Sequence, residues 1–183
     1  MEPSASDVDV NARYGAIRSV ATGSGSLAVL HIGDEQTGLA VGDSLDAPAT
    51  LTMAIGAQRT AREFFKRAVP TPLELENAIA TVEDEVMRAR ALVQARPRLY
   101  TMDPAIRSIA IVSGVTEGAA MELSIEALER SFDRLTSVAL GRPASHEGLP
   151  EDKAFAATLL ILRELMHHLQ FAAIHYVDRP DQA

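Results

Sequence analysis

The first third of the chain alternates short aliphatic runs with turn residues. The runs are LAVLHIG at residues 27–33, TGLAVGD at residues 37–43 and ATLTMAIG at residues 49–56. Runs of this length, rich in aliphatic and β-branched residues and bounded by Gly and Asp, are typical of β-strands. The short spacing between the first two runs predicts a hairpin. We therefore predict a three-stranded antiparallel meander.

After residue 56 the spacing of apolar residues becomes helical. Residues 57–68 predict a short amphipathic helix that ends before Pro70. The sequence Thr71-Pro72-Leu73-Glu74 then opens a longer helix, because it combines an N-cap, a proline in the first turn and a capping-box glutamate. The apolar residues of this helix recur at helical spacing before Pro97: Leu75, Ile79, Val82, Val86, Ala89 and Val93.

Two further strands and two further helices complete the pattern. The continuous apolar run RSIAIVSG at residues 107–114 predicts a central strand buried on both faces. Ser124 opens a long helix, and residues 151–169 predict another that is apolar over most of its circumference. Residues 173–177, AIHYV, predict the last strand.

This order of elements predicts an α/β fold. We expect a mixed sheet of about five strands, in the order βββαβαβ, packed with long helices. That order resembles the ribonuclease-H-like lobe of the actin-like ATPase superfamily. We predict one such lobe over residues 21–178, with a flexible arm at residues 1–20 and a tail at residues 179–183. Within the arm, residues 16–20 are a candidate edge strand.

Composition restricts the partners and the compartment. The net charge of −8 disfavours nucleic acid and anionic membranes as partners, so we predict neither. The absence of cysteine rules out disulfides and thiolate sites and fits a cytoplasmic protein. The first residues lack the pattern of a signal peptide, and the longest apolar run, residues 155–162, is too short to span a bilayer.

Three segments resemble the exopolyphosphatase/guanosine pentaphosphate phosphatase (Ppx/GppA) family. In residues 52–86, a strand ending in Ile-Gly-Ala-x-Arg leads into a helix, and a proline-containing break opens the next helix. Residues 123–135 and 148–178 resemble later helices and the closing strand of the family. The similarity covers roughly residues 27–178 and implies one lobe, the second of the two between which members bind phosphates.

The resemblance also implies phosphate-binding loops. The family's glycine-rich Gly-Gly-Gly-Ser-Thr-Glu loop corresponds here to residues 33–38, where Asp34 and Glu35 replace two glycines. Backbone N–H groups of such loops cradle phosphate, but these carboxylates would repel it unless Mg²⁺ lay between them. Asp34 and Glu35 are therefore candidate metal ligands. The candidate phosphate- or nucleotide-binding residues are Gly33, Asp34, Thr37 and Gly38 in the hairpin, and Ser113, Gly114 and Thr116 in a later loop.

Two functions follow from the resemblance. The first is a degenerate stand-alone lobe that acts as a binding or regulatory module, as a homodimer or with a protein partner, without robust catalysis alone. No residue corresponds to the catalytic glutamate of the family's first lobe, and an uncovered interlobe face favours association. The alternative is an enzyme that hydrolyses phosphoanhydrides, of polyphosphate or guanosine pentaphosphate, at a composite Mg²⁺ site between two chains. A purely scaffolding role is the third.

Other motifs have simpler explanations. The densest group of potential metal ligands comprises Glu164, His167, His168 and His175. A helix C-terminus also favours histidine, and the further carboxylates of a di-iron site are missing. Ser113 lacks the Gly-x-Ser-x-Gly context of a hydrolase nucleophile, and the Gly/Ser segment at residues 21–26 lacks the lysine of a phosphate-binding loop. The acidic hairpin turn also fits a purely conformational use of Asp and Gly.

Overall fold

A computed structural model describes residues 10–21, 25–45 and 48–178. Its sheet has six strands in the order β3-β2-β1-β4-β6-β5. The strands are β1 (Leu27–Ile32), β2 (Thr37–Gly42), β3 (Ala49–Met53), β4 (Arg98–Thr101), β5 (Ala120–Ser124) and β6 (Ala173–Val177). The helices of this described part are α1 (Val10–Val20), α2 (Ala57–Phe64), α3 (Pro72–Met87), α4 (Pro104–Val112), α5 (Ile125–Ala139), α6 (Ala144–Glu147) and α7 (Lys153–His168).

The predicted meander forms one half of this sheet. Strand β1 pairs antiparallel with β2, which pairs antiparallel with β3. On its other side β1 pairs parallel with β4, and β4 pairs parallel with β6. The C-terminal ends of β1, β4 and β6 therefore meet at one end of the sheet, next to the β1–β2 turn. We call this the hairpin end, and the other the opposite end.

The two faces of the sheet are covered unequally. Five helices, α2, α3, α4, α5 and α7, pack on one face around a large aliphatic core. Helix α7 lies at the centre, and every residue from 156 to 162 is buried, which confirms its prediction as the most buried helix. The second face carries a smaller cluster that includes Tyr14 and Ile17 of α1 together with Leu27, Val29 and Tyr100.

Helix α3 begins where its sequence predicts. The Thr71 side chain accepts a hydrogen bond from the Glu74 N–H at 3.3 Å, and the Glu74 carboxylate accepts one from the Thr71 N–H at 2.8 Å. This is the capping box that the Thr-Pro-Leu-Glu sequence predicts. The Thr71 backbone N–H is the largest cause of the lowered pKa of Glu74.

Helix α1 corrects the prediction of a flexible arm at residues 1–20. Residues 10–20 are helical, with Arg13, Tyr14 and Ile17 buried, so the candidate strand at residues 16–20 is wrong as well. The helix passes close over β2, where a Cβ on Gly42 would lie 2.5 Å from the Tyr14 hydroxyl. Its weak local pattern becomes a helix because the sheet offers it a packing surface. Residues 1–9 and the predicted tail at residues 179–183 lie outside the described residues.

The strand predicted at residues 107–114 is also wrong, because Pro104–Val112 forms helix α4. A short apolar run fits a buried helix as well as a buried strand, and Pro104 in the first turn favours the helix. Strands β4 and β5 were not predicted, so the sheet has six strands rather than about five. The long helix before Pro97 ends at Met87 and continues as turns.

We predict that Gly56→Ala destabilises the protein. A Cβ at this position would lie 2.5 Å from the Asp34 carbonyl oxygen and 2.6 Å from the Glu35 carbonyl carbon. Because backbone must move to relieve this overlap, we expect a loss of about 1–3 kcal/mol in the free energy of unfolding, measured by urea denaturation.

The matched control is Gly15→Ala in α1, where a new Cβ meets nothing within 4 Å. Alanine has the higher helix propensity, so this variant should gain up to about 1 kcal/mol. Equal stabilities of the two variants would contradict the close approach of the hairpin turn to Gly56.

Candidate functional site

The hairpin turn lies against the start of helix α2. Within the turn the Gly33 N–H donates to the Gln36 carbonyl at 2.9 Å. The Ala57 N–H donates to the Gly33 carbonyl at 2.9 Å, and the N–H groups of Gln58 and Arg59 donate to the Asp34 carbonyl. The first N–H groups of a helix commonly bind anions. Here these donors of α2 bind carbonyl oxygens of the turn.

The acidic residues of the turn have different surroundings. Both oxygens of the exposed Glu35 carboxylate accept hydrogen bonds from Arg62 of α2, at 3.0 and 2.9 Å. The Arg62 guanidinium lowers the pKa of Glu35. Asp34 is exposed at the tip of the turn. The described residues contain no group of three His, Asp or Glu side chains placed to hold a metal ion, so Mg²⁺ at Asp34 and Glu35 stays a prediction.

The other two hairpin candidates face inward or lie beneath α1. Thr37 is buried, and its hydroxyl donates to the Ile55 carbonyl at 2.8 Å. Gly38 lies under α1, where a Cβ would come within 3.2 Å of the Val10 side chain. Both residues therefore serve packing in this structure, and their predicted contact with phosphate stays untested.

A buried ionic cluster connects the end of β1 with the start of α4. The Asp103 carboxylate accepts hydrogen bonds from Arg13 Nη1 at 2.9 Å and from the Ile32 N–H at 2.8 Å, and it lies 2.7 Å from His31 Nδ1. Asp103 is 3% exposed and Arg13 is 8% exposed. We call Arg13, His31, Asp103 and the Ile32 N–H the Asp103 cluster. It joins α1, β1 and the start of α4.

Sequence reasoning missed the Asp103 cluster. Arg13 lay in the arm predicted to be flexible, and Asp103 preceded a run assigned as a strand. Asp103 occupies the N-cap position of α4, but its carboxylate does not cap the helix. It binds β1 instead, while its own N–H donates to the Thr101 hydroxyl at 3.1 Å. An Asp-Pro pair before an apolar run was the one local signal of this helix start.

The later candidate loop does not join the hairpin. Ser113 ends α4, and its hydroxyl lies 2.8 Å from the Ser131 hydroxyl on α5. Gly114 has a left-handed φ of 91°, which suits the residue after a helix, and Thr116 is exposed. The loop leads into β5, which β4 and β6 separate from β1, a distance of roughly 14 Å across the sheet.

Residues near β6 extend the hairpin end on the other side of β4. The Tyr176 hydroxyl donates to the Asp178 carboxylate at 2.7 Å, and the Arg107 guanidinium lies 6.0 Å from the centre of the Tyr176 ring. Arg107 also pairs with Glu117 at 2.5 Å. The pKa of Tyr176 is raised to about 12. Burial is the largest cause, and the hydrogen bond to Asp178 is the second largest.

The candidate ligands on α7 lie close together, but each of them, like His175 on β6, is already engaged by a charged group of the protein. Buried Glu164 pairs with Arg163 at 2.6 Å and with His168 at 3.1 Å. His167 lies 3.4 Å from Glu129, whereas His175 lies 3.7 Å from Glu122 on β5. Each of these side chains is engaged by a protein group, and His167 and His168 lie in the last turn of α7, which fits the simpler explanation that a helix C-terminus favours histidine.

We predict that Asp103→Ala destabilises the protein strongly. It would leave the Arg13 guanidinium buried beside His31 without its carboxylate, which costs about 3–5 kcal/mol in comparable cases. Urea denaturation measures the change. The control Glu63→Ala removes the partly exposed pair with Arg59 and should cost about 1 kcal/mol or less. Equal small losses would show that the cluster contributes no more than a surface pair.

We predict that Tyr176 makes stability depend on alkaline pH. Its folded pKa of about 12 lies above the ordinary value of 10.0. The contribution is therefore fully present below pH 10.0 and is lost as the pH rises toward 12. Tyr176→Phe should flatten the fall in the free energy of unfolding across this range and remove the last phenolate step in ultraviolet titration.

Tyr14→Phe serves as the control, because burial also raises the pKa of Tyr14. This variant should retain the latest phenolate step. A Tyr176→Phe protein whose titration still ends near pH 12 would contradict the assignment.

Comparison with solved structures identifies the fold of this chain. No known family profile matches the chain, and no characterised relative matches by sequence. Solved structures match over most of it. The type II variant of the Aquifex aeolicus Ppx/GppA phosphatase aligns with a TM-score of 0.75 at 15% identity, over 91% of this chain and 57% of that one.

Two further structures give the same result. An exopolyphosphatase-like protein aligns with a TM-score of 0.72 at 15% identity, over 94% of this chain and 63% of its own length. An exopolyphosphatase from Cytophaga hutchinsonii aligns with a TM-score of 0.68 at 11% identity, over 90% and 57%. The present chain thus spans about three fifths of the proteins it matches, and which lobe it represents stays a prediction. At these identities the likeness establishes architecture: the chain has the α/β fold of a single lobe of the Ppx/GppA phosphatases, as its sequence predicts.

Proposed function

We propose that this chain is a Ppx/GppA-like binding lobe that acts as a homodimer or with a protein partner and does not hydrolyse phosphoanhydrides alone. The observation that carries this proposal is the Asp103 cluster. A phosphate at the hairpin end needs free N–H donors and cations. The Ile32 N–H and the Arg13 guanidinium already bind the Asp103 carboxylate, which a phosphate would have to displace.

The hairpin turn supports the same proposal. Its contact with α2 uses the first three N–H groups of that helix, and Arg62 is paired with Glu35. The carboxylates of Asp34 and Glu35 add negative charge where the resemblance implies phosphate. Substrate binding at this end would therefore work against hydrogen bonds and charges that the chain already has.

An edge strand supports self-association. Within the described residues β3 pairs only with β2, so one side of its backbone is open. Its sequence, ATLTM, contains no charge and no proline, the devices that commonly block edge-to-edge pairing. Ala49, Thr50 and Thr52 are exposed. We infer that a second copy adds its own β3 to this edge around a twofold axis.

A specific observation favours phosphoanhydride hydrolysis as the alternative function. The C-terminal ends of three parallel strands meet at the hairpin end, the location where open α/β sheets bind ligands. Proteins of the same fold are phosphatases by name. In this alternative, two chains form a composite cleft, Mg²⁺ binds Asp34 or Glu35, and a water attacks the phosphoanhydride.

We predict that the purified chain is a dimer in light scattering and that Thr50→Lys makes it monomeric. A lysine on an edge strand repels the same residue of a second copy and disfavours strand addition. The matched control is Thr81→Lys, an exposed position on α3, which should leave the dimer intact. A wild-type monomer throughout the micromolar range would overturn self-association.

The same preparations test the alternative function. Phosphate release from polyphosphate, ATP and guanosine pentaphosphate is measured with and without Mg²⁺, on wild type, Thr50→Lys and Asp34→Ala. The proposed binding lobe releases no phosphate above buffer under any condition. Mg²⁺-dependent release that disappears in both variants would overturn it in favour of the composite enzyme.

A further inference from the structure

A cavity of about 470 Å³ lies at the opposite end of the sheet. It lies between the turns that follow α3, at residues 90–99, and the connection from α7 to β6, at residues 168–175. The first residues of β4 and β6 contribute to its wall, whereas the hairpin turn lies at the far ends of these strands. This cavity is therefore separate from the candidate site at the hairpin end.

The cavity is cationic in an acidic protein. The described residues that line it include Arg90, Arg96 and Arg98 and no Asp or Glu, whereas the lining histidines His168 and His175 each lie beside a carboxylate outside the lining. The whole chain carries 17 Lys and Arg against 25 Asp and Glu, so a wall with this bias departs from the average surface. Its local field attracts anions and raises their concentration at the cavity mouth.

A second cavity shows the contrast. It measures about 590 Å³ and is lined by two basic residues, Arg62 and Lys153, and two acidic ones, Glu151 and Asp152. Arg62 there is already engaged by the carboxylate of Glu35. Because its basic and acidic residues balance, the second cavity has no net preference for an anion, although it is the larger of the two. The first cavity is therefore distinguished by its charge and not by its size.

Two of the arginines that line the first cavity lack a counter-charge within the part of the chain that the structure describes. Several surface arginines pair within the protein, as Arg59 does with Glu63 and Arg107 with Glu117. Among the described residues, neither Arg90 nor Arg96 forms an ion pair or a side-chain hydrogen bond. Grouped guanidinium ions repel one another, and an anion bound between them removes that repulsion.

The backbone at the cavity gives independent support. Arg96 has a φ of 49° and Gln170 a φ of 59°, and the described part of the chain has no other non-glycine residue with positive φ. Both line the cavity, and Gln170 directly follows the C-cap of α7, where glycine is favoured. Residues held in sparsely populated backbone conformations cluster at binding and active sites.

We propose that this cavity binds a small organic phosphate. Arginine forks match phosphate oxygens in a bidentate manner and do so better than lysine. The buried side chains of Val93, Leu99, Leu169 and Phe171 supply an apolar floor for the organic part of the ligand. The volume is in the range of small-molecule sites. The proposal is independent of the proposed function, because it uses no residue of the hairpin end.

The test is calorimetric titration of the full chain with adenosine 5′-monophosphate and, as the neutral counterpart, adenosine. We expect millimolar or tighter binding of the monophosphate and no measurable binding of adenosine. Arg96→Gly removes one guanidinium and places glycine where the backbone favours it, so the fold should be retained or stabilised. We expect this variant, and Arg90→Gln, to weaken binding by about tenfold each.

Two control variants test whether the monophosphate binds at this cavity. Arg130→Gln removes the same charge from an exposed position on α5 outside the cavity and should leave binding within about twofold. Asp34→Ala, at the hairpin end, should also leave it unchanged. No binding by wild type, equal binding of adenosine, or full binding by the Arg90→Gln/Arg96→Gly protein would each overturn the proposal.

Discussion

The carboxylate of Asp103 is the interaction on which the hairpin end depends. A buried charge is tolerated only when opposite charge and hydrogen bonds compensate it, and here the compensation comes from α1, from β1 and from a backbone N–H. Since these partners are scattered along the sequence, the carboxylate fixes how the first helix, the first strand and α4 lie relative to one another. The buried charge requires these elements to be arranged in this way. The ion pair itself adds little to the net stability of the fold.

The same interaction shapes what the lobe can bind. Glycine-rich turns hold anions because their backbone N–H groups are available. At this hairpin the first N–H groups of α2 donate to carbonyl oxygens, and Asp34 and Glu35 place two carboxylates on the turn. Three arginines, Arg90, Arg96 and Arg98, line a cavity at the opposite end of the sheet. This chain thus combines the fold of a single Ppx/GppA lobe with a hairpin turn whose main polar groups are engaged within the protein.

Local signals account for what the sequence could predict. The meander, the capping box at Thr71, the apolar circumference of α7 and the last strand each rest on a pattern within one element. The apolar pattern of α4 did not separate a helix from a strand, because eight of its nine residues are apolar or small and such a run fits both. Pro104 in the first turn and the packing against α7 favour the helix. The Asp103 cluster arises from residues that only the tertiary fold brings together, so no sequence window contained it. The three arginines of the cavity lie close in sequence, but only the fold places the α7–β6 connection beside them to form a cavity.

The pairing of Arg13 with Asp103 also bears on the order of events during synthesis. Ninety residues separate the two side chains. At ribosomal rates of about 5–20 residues per second, roughly 5–20 seconds pass between the emergence of one and the other. Leu27, Val29 and Ala40, which pack against Tyr14 and Ile17, emerge early in that interval, whereas Tyr100 and Met102 emerge together with Asp103. The buried cluster around α1 is therefore completed only when β4 joins β1, at the stage when Arg13 gains the Asp103 carboxylate.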